Sequence, residues 1–207
     1  TGESFPILMI SNVNLRGQGK DVTFLNAEAT SRVVQMEGGI ENTFSHLTIT
    51  GGMVEYDASD EQYWLSDNGG GILVVQSSLT LNDVNIYNNT ADTGGGISLL
   101  ESSSNITSVN ISSNTGNGID ISNWFEDSQP IELTNTFTNV NITNNSGVGL
   151  TTWTQNLGGA LDDFVHTILT NVTISGNLDG GMECSGSDPT LTNVTITNNI
   201  GNGLGLS

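Results

Sequence analysis

Basic side chains are almost absent from this sequence. Its 207 residues include three, Arg16, Lys20 and Arg32, against 22 carboxylates, which gives a formal net charge of −19. Three of the carboxylates lie within the first 32 residues, so residues 33–207 carry the other 19 and no lysine or arginine. Because a surface of this sign repels phosphate groups, anionic lipids and polyuronates, we expect no nucleic acid partner and no membrane-surface partner.

Cysteine, proline and long apolar runs are also scarce. The single cysteine, Cys184, excludes an intramolecular disulfide. No apolar run approaches the roughly 20 residues that cross a bilayer, so we expect no membrane insertion. With three prolines, 26 glycines and 35% hydrophobic residues, the chain is too apolar and too periodic for disorder. No signal peptide is recognisable, so export from the cell is inferred rather than read from the sequence.

A four-residue phrase with apolar first and last residues recurs along the chain. It runs into an alternation of apolar residues with Asn or Thr, as in Val84-Asn85-Ile86, which is typical of a half-buried β-strand. A second strand follows a glycine pair, and no segment has the periodicity of an ordinary helix. The phrase begins at Ile10, Phe44, Leu81, Ile106, Phe137, Leu169 and Leu191.

The distances between successive repeats predict a solenoid. Counted between the aligned Val or Leu positions from Val13 to Val194, they are 34, 37, 25, 31, 32 and 22 residues. The shortest repeat is enough for a coil of three short strands, and longer ones hold a loop, which a solenoid tolerates because each coil contacts only its neighbours. We predict one all-β domain over residues 1–207, with about seven three-strand coils and loop insertions at 52–68, 123–136 and 154–167.

An asparagine stands five residues after the first Val of each later strand. Asn tolerates the left-handed backbone of a tight corner, and stacked amides can hydrogen-bond along the axis, so we predict an asparagine ladder here. Cys184 falls at an inward position beside Met182 and is predicted to be a small core residue. The ladder positions are Asn89, Asn114, Asn145, Asn177 and Asn199.

Three further phrases resemble those of a known family: Leu15-Arg16-Gly17-Gln18-Gly19, Leu47-Thr48-Ile49-Thr50-Gly51-Gly52 and Gly69-Gly70-Gly71-Ile72. Over nearly its whole length the chain resembles the right-handed parallel β-helix repeat proteins of the pectin-lyase-like superfamily. Its Gly-Gly-Gly-Ile piece is similar to repeats of bacterial surface proteins and autotransporter passengers. The resemblance implies the fold but no single activity, since the superfamily mixes lyases, glycosidases, adhesins and passive surface proteins.

The resemblance also supplies an enzymatic alternative. Lyases of the superfamily pair an Asp-rich calcium site with Arg or Lys on the first sheet, where this chain has only Arg16 and no Asp cluster beside it. Its hydrolases use close Asp residues near a His, and the best match is Asp162-Asp163 with His166, in an insertion rather than on a strand. Positioned catalytic carboxylates are expected on rigid strands. We therefore predict no catalytic residue and keep a polysaccharide lyase or glycoside hydrolase as the alternative.

The loop insertions contain the candidate binding residues. Exposed aromatic side chains beside carboxylates can stack on a sugar or contact a protein, or they can fold down over the solenoid wall. The second and third insertions follow the same strand in adjacent coils, so we expect them to lie side by side. The predicted contacts with a carbohydrate or a cell-surface protein are Tyr56, Trp64, Trp124, Phe125, Trp153, Asp162 and Asp163.

Two further patterns concern a calcium site and a resemblance to ice-binding surfaces. The first insertion holds four acids that suit calcium, which prefers oxygen ligands, although their spacing matches no fixed motif and no other cofactor is expected. Outward Thr and Asn residues form columns that resemble the flat arrays of ice-binding solenoids, although Tyr87 and Arg16 interrupt them and Thr is ordinary on strands. The candidate calcium ligands are Asp57, Asp60, Glu61 and Asp67.

The two ends of the solenoid are predicted to make contacts. All three cations lie in the first coil and the last coils are acidic, so we expect either a longer solenoid or head-to-tail stacking into a filament. The residues predicted at that contact are Arg16, Lys20, Arg32, Asp179, Glu183, Asp188, Leu204 and Leu206. The sequence therefore favours an exported, non-enzymatic module of the cell surface or the extracellular space, acting in adhesion or end-to-end self-assembly.

Overall fold

Strands make up nearly all the regular structure of the chain. The computed structural model describes residues 3–39, 41–59, 65–123, 133–154 and 165–207, and within these ranges there are twenty β-strands and no α-helix. In chain order they are β1 (Ile7–Leu8), β2 (Leu15–Arg16), β3 (Phe24–Asn26), β4 (Val34–Glu37), β5 (Glu41–Thr50), β6 (Ile72–Val75), β7 (Ser78–Tyr87), β8 (Ile97–Leu100), β9 (Ser103–Thr107), β10 (Asn110–Ser112), β11 (Ile119–Asn123), β12 (Leu133–Thr138), β13 (Asn141–Thr143), β14 (Val148–Thr154), β15 (Val165–Thr170), β16 (Thr173–Ser175), β17 (Gly180–Ser185), β18 (Thr190–Thr192), β19 (Thr195–Thr197) and β20 (Leu204–Leu206).

The strands form two parallel sheets that enclose a three-sided solenoid. An eight-stranded sheet, face A, has the order β1-β4-β6-β8-β11-β14-β17-β20. The second sheet has twelve strands. Its long strands β5 and β7 bend at the left-handed residues His46 and Asp83 (φ 54° and 55°), and the parts before and after the bend pair with different short strands. The bends of successive coils form one line along the sheet. The half before this line, with β2, β9, β12, β15 and β18, is face B; the half after it, with β3, β10, β13, β16 and β19, is face C. Each coil runs through faces A, B and C, which confirms the predicted parallel β-helix.

Five of the six predicted repeat distances are confirmed by the strand register. The predicted offsets of 37, 25, 31, 32 and 22 residues recur in the pairs Leu47↔Val84, Asn85↔Asn110, Asn110↔Asn141, Asn141↔Thr173 and Thr173↔Thr195. In a parallel solenoid the register cannot slip by one residue without turning every inward side chain outward. The repeat phrase is therefore a reliable marker of one rung for this part of the chain.

The first predicted repeat is wrong. Leu15 pairs with Phe44 rather than with Ile49, and the partner of Ile49 is Leu25. The Val13-Asn14-Leu15 alternation is too short to distinguish a strand of face C from a segment leading into face B. Arg16, which the sequence placed on the outward side of face C, lies instead on β2 of face B opposite Ser45.

The core is a continuous stack of aliphatic side chains. Alternate residues of each strand point inward, so that Ile86, Ile111, Ile142 and Ile174 are fully buried on successive rungs of face C. Each buried Ile, Leu or Val stabilises the fold by about 1.5–3 kcal/mol relative to exposure. Cys184 is 2% exposed within this core, as predicted.

The predicted asparagine ladder runs through the corner between faces C and A. After Asn89, the side-chain oxygen of each ladder Asn accepts from the backbone N–H and the amide of the Asn one coil earlier, as between Asn114 and Asn145 (3.1 and 3.0 Å). Each amide also donates to a backbone carbonyl inside the corner, as from Asn145 to Ile111. The predicted left-handed backbone belongs to the preceding residue instead, for example Asn144 (φ 56°). The ladder residues thus satisfy buried backbone groups, and their neighbours make the turn.

Two of the predicted insertions are shorter than the sequence indicated. Residues 133–136 belong to β12 rather than to the second insertion, and residues 165–167 belong to β15 rather than to the third. His166 is therefore an outward residue of a face B strand, opposite Thr134, and not a loop residue. Strand propensity did not locate the ends of these insertions, because Thr and Asn occur in both the loops and the strands of this chain.

The ladder predicts that alanine substitutions at two asparagines four residues apart lower the free energy of unfolding by very different amounts. We expect Asn145→Ala to lower the free energy of unfolding by about 2–4 kcal/mol, since the buried backbone N–H and amide of Asn114 lose their acceptor. The control is Asn141→Ala, which removes an exposed amide bond to Asn110 and should cost less than about 1 kcal/mol. Urea denaturation measures both, and equal losses would show that the buried ladder contributes no more than a surface amide.

Candidate functional site

The outer surface of face A carries two columns of side chains that are in register from coil to coil. The central part of the first column is Ser98, Asp120, Thr151 and Glu183, and the second column continues through Leu100, Ser122, Trp153 and Ser185. Strand alternation places both columns outward, because the residues between them, such as Ile121 and Thr152, point into the core. This surface combines an aromatic ring, Trp153, with carboxylates.

The N-terminal part of this surface is apolar and covered. Leu65, from the first insertion, packs with Leu73 and Leu100 in a small cluster separate from the main core, and Val75 lies against it. All three leucines are at least nine-tenths buried. The first insertion therefore closes this half of face A and leaves the other half as the accessible part.

The C-terminal part of face A forms an open cavity. Trp153, on β14, is 39% exposed and lines it together with Thr151 and Glu183. The remaining lining residues are Thr152, Cys184, Ser185, Asn202, Gly205, Leu206 and Ser207. An indole ring offers a flat apolar surface, while hydroxyl, amide and carboxylate groups at its edge offer hydrogen bonds.

Asp120 is a carboxylate held in one orientation on this surface. It is 8% exposed, and its two oxygens accept hydrogen bonds from the hydroxyls of Ser122 and Thr151. Glu183 is exposed one rung beyond Thr151, so the two carboxylates stand two rungs apart, about 9.6 Å along the solenoid. Sequence reasoning missed both residues as partners of Trp153, although the aligned glycine-pair strands place them in one column.

Cys184, at the cavity, has low reactivity. Burial raises the pKa of the Cys184 thiol, and hydrogen bonds with Thr152 and Ser187 oppose that shift only in part. A thiol rather than a thiolate is the state at neutral pH, and it is the weaker nucleophile. Cys184 is therefore part of the core and contributes no reactive group to the cavity.

A second cluster, Lys20, Asp83 and His46, lies at the line between faces B and C. The Lys20 Nζ is 2.8 Å from one oxygen of Asp83, and the His46 Nδ1 is 2.9 Å from the other. The hydrogen bond from Lys20, followed by that from His46, holds the pKa of Asp83 below its ordinary value of 3.8. The repeat alignment contained the signal for this contact, because His46 and Asp83 hold the same position in consecutive phrases. Through the ion pair of Lys20 with Asp83, the cluster links the first coil to the third.

The predicted aromatic and acidic contacts are only partly covered by the described residues. Trp153 lies at the cavity, and Tyr56 is 57% exposed in the first insertion. The ends of β11 and β14, Asn123 and Thr154, are register partners, so the second and third insertions follow neighbouring strand positions of face A. Outside the described residues lie Trp64, Trp124, Phe125, Asp162 and Asp163.

The calcium site stays a prediction. Asp57 accepts hydrogen bonds from the backbone and hydroxyl of Ser59 (2.8 and 2.6 Å), and these two bonds, the hydroxyl first, lower its pKa. Asp67 belongs to the same insertion, whereas Asp60 and Glu61 fall outside the described residues. Within the ranges that the structure describes, no group of three or more His, Cys, Asp or Glu side chains is arranged to hold a metal.

Some of the residues predicted for the end-to-end contact are bound within the chain, and others are exposed. Arg16 is exposed, whereas Lys20 is bound to Asp83, and Arg32 donates to Gln35 (2.9 Å) and to the Leu65 carbonyl (2.7 Å). Leu204 and Leu206 sit at inward register positions but are 43% and 63% exposed, because the coil of β18, β19 and β20 is paired on one side. The acidic residues Asp179, Glu183 and Asp188 are exposed.

Comparison with known proteins identifies the fold family. The family model described as the right-handed β-helix region matches residues 70–207, from two residues before β6 to the residue after β20. No curated protein and no solved structure matches the chain significantly. Among the described residues there is no helix with the length and hydropathy needed to cross a membrane.

The Lys20–Asp83–His46 cluster predicts a loss of stability in acid. Since the folded state favours the ionised form of Asp83, the contribution of Asp83 is present above about pH 4 and is lost as the pH falls through the lowered pKa. We expect Asp83→Asn to lower the melting temperature at pH 6, and the gap from the parent chain to close toward pH 2. Asn also tolerates the left-handed backbone of this position.

The matched control for this prediction is Asp92→Asn, at an exposed carboxylate of another corner. It should change the melting temperature little at either pH. A gap for Asp83→Asn that is the same at pH 2 and pH 6 would contradict the ion-pair explanation, because a packing defect does not depend on the protonation of one carboxylate.

Proposed function

This chain belongs to the right-handed β-helix family, and we propose that it is an exported, non-enzymatic adhesion module that binds neutral carbohydrate at the open half of face A. The proposal rests on one observation, the half-exposed ring of Trp153 beside hydrogen-bonding groups in an open cavity. An exposed indole in a soluble protein is a common anchor for a ligand that presents a flat apolar face and a polar edge.

Charge supports a neutral sugar over an acidic one. The chain carries a formal charge of −19, and the carboxylates of Asp120 and Glu183 stand in the same outward column of face A. A uronate or a sulfated sugar would meet repulsion from both, and residues 33–207 contain no Lys or Arg to offset it. A neutral sugar can instead donate its hydroxyls to these carboxylates in charge-assisted hydrogen bonds.

The rigidity of the site also supports adhesion. Trp153, Asp120 and Glu183 project from three successive strands of a parallel sheet, so their spacing is fixed by the backbone ladder rather than by loops. A preorganised surface loses little conformational entropy when it binds. This arrangement suits a surface that holds a polymer without changing it.

The proposal predicts that Trp153→Ala removes the binding of neutral glycans. We expect the affinity for a neutral polysaccharide, measured by affinity electrophoresis across a panel of neutral and acidic polymers, to fall about tenfold or more. The reason is the loss of the stacking surface with the polar groups left in place. Polyuronates should bind neither the parent chain nor the variant.

Tyr87→Ala is the matched control, because Tyr87 is an outward aromatic residue of face C, away from the cavity. It should leave glycan binding unchanged. If the parent chain binds none of the neutral polymers, or if both variants lose binding equally, the assignment of adhesion to face A is wrong.

A glycoside hydrolase is the alternative that the carboxylate pair favours. The strand positions of Asp120 and Glu183 are two rungs, about 9.6 Å, apart along the axis, just beyond the roughly 6.5–9.5 Å that separates the carboxyl groups of inverting glycosidases. Against it, both oxygens of Asp120 already accept hydrogen bonds from Ser122 and Thr151, which suits a fixed hydrogen-bond acceptor rather than a proton donor. Release of reducing sugar that is abolished by Glu183→Gln would replace adhesion with hydrolysis.

End-to-end association is a second role, favoured by the apolar surface of the coil formed by β18, β19 and β20. Leu191, Leu204 and Leu206 occupy inward register positions there and are exposed. Exposed strand edges beside apolar side chains favour pairing with another coil. Arg16 is the cation best placed for an acidic partner, since Lys20 and Arg32 make the contacts described above within the chain.

End-to-end association predicts a concentration-dependent size in the natural full-length protein. We expect Leu204→Lys/Leu206→Lys to abolish higher assemblies, measured by sedimentation velocity over a hundredfold range of concentration. Leu178→Lys, an exposed apolar position at a corner, is the control and should assemble like the parent chain. A parent protein that stays monomeric throughout that range would exclude the filament.

A further inference from the structure

Charge is distributed unequally among the faces of this acidic protein. On the described strands of faces B and C from β7 to β19, the one carboxylate is Asp83, and Lys20 offsets its charge. The outward side chains there are Ser, Thr and Asn, interrupted by Tyr87, His166 and Ile168. A chain with a formal charge of −19 therefore presents two adjoining faces whose polar groups are almost all uncharged.

Threonines stack along this surface in exact register. Thr107, Thr138, Thr170 and Thr192 are direct partners on four successive rungs of face B, and we call them the threonine column. A parallel column two residues earlier, about 6.7 Å away, includes Thr136 and Thr190. The side chains are partly or fully exposed, and the hydroxyls of Thr138, Thr170 and Thr192 make no hydrogen bond within the described part of the chain.

The rung spacing is close to a spacing of frozen water. Neighbouring rungs lie about 4.8 Å apart. Water molecules linked tetrahedrally at about 2.75 Å place their second neighbours about 4.5 Å apart. The difference of about 0.3 Å per rung accumulates to about 1 Å over the threonine column, which small side-chain rotations absorb. β-Branched threonines have few side-chain rotamers, so the hydroxyls and methyl groups keep this spacing.

The composition of the surface argues against other occupants. A dissolved sugar gains little from hydroxyl contacts alone, because water offers the same hydrogen bonds, and the outward strand positions of face B contain no Trp, Tyr or Phe for stacking. A second copy of the chain needs an apolar centre to its interface, and Ile168 is the sole aliphatic side chain among the outward positions from β9 to β18. Ordered water needs neither, since each hydroxyl can take the place of one lattice molecule while the methyl groups lie between them.

We propose that face B binds ice, through the threonine column and the parallel column beside it. The ligand class is crystalline water, and the contact is independent of the cavity around Trp153. The protein would adsorb through many weak contacts that are all satisfied at once, because both surfaces are periodic and rigid.

The experiment measures thermal hysteresis and ice-crystal shaping of the full chain in a nanolitre osmometer. The parent chain should show a hysteresis gap and faceted crystals, and Thr138→Lys/Thr170→Lys should reduce the gap to the level of buffer. Asp92→Lys changes the net charge by the same two units at an exposed corner and should keep the full gap. Circular dichroism melts establish that all three proteins are folded at the temperature of the measurement.

Two results would overturn the proposal. One is a folded parent chain that neither shapes ice nor shows hysteresis. The other is an equal loss of hysteresis in Asp92→Lys and in the threonine variant, which would assign the effect to charge. Sedimentation with microcrystalline cellulose or chitin, lost in the threonine variant while hysteresis is absent, would assign this surface to a solid polysaccharide instead.

Discussion

The structure depends on the in-register stacking of parallel rungs about 4.8 Å apart. In the inner coils, most strand residues have a direct partner one coil before and one coil after. The stability of such a position therefore depends on a whole column of residues rather than on one pair. Inward columns must be apolar, and the column of Ile86, Ile111, Ile142 and Ile174 satisfies this. At the corner between faces C and A, the same requirement selects Asn, whose amide can donate to one neighbour while its oxygen accepts from another.

Because columns repeat, most of the fold could be predicted from the sequence. The distance between repeats determines which residues are partners, and five predicted distances agree with the register. The prediction failed where the repeat is degenerate. The phrase at Ile10–Val13 has the right residue types, but Leu15 and Leu25 are both apolar residues that can start a rung, and only three-dimensional contacts with Phe44 and Ile49 distinguish them. The loop boundaries failed because Thr and Asn carry no signal that separates a loop from an exposed strand.

The candidate site was less predictable than the fold. Aromatic residues are rare here, so Trp153 stood out, whereas Asp120 and Glu183 did not, since acids are common and neither follows a motif. Their relation to Trp153 is a property of the stacked columns and becomes visible once the glycine-pair strands are aligned. The same is true of His46 and Asp83, whose contact follows from their shared position in the repeat. In both cases the interacting residues lie on different coils, so motifs of neighbouring residues along the chain do not reveal them.

Stacking also explains how a strongly acidic protein can have uncharged faces. Two carboxylates that are register partners would repel each other by roughly 1 kcal/mol in water and several-fold more near a low-dielectric wall. In the described ladders no carboxylate has another as its register partner; Asp120 and Glu183 are separated by Thr151, and Glu183 faces Gly205 on its other side. Outside the paired strands and the asparagine ladder this restriction does not apply, because a residue there has no register partner. Acids therefore accumulate there and occur singly on face A, while faces B and C are built from Thr, Ser and Asn. One repeat thus supports two surfaces of different chemistry, one with fixed acceptors around an aromatic ring and one with a periodic array of hydroxyls.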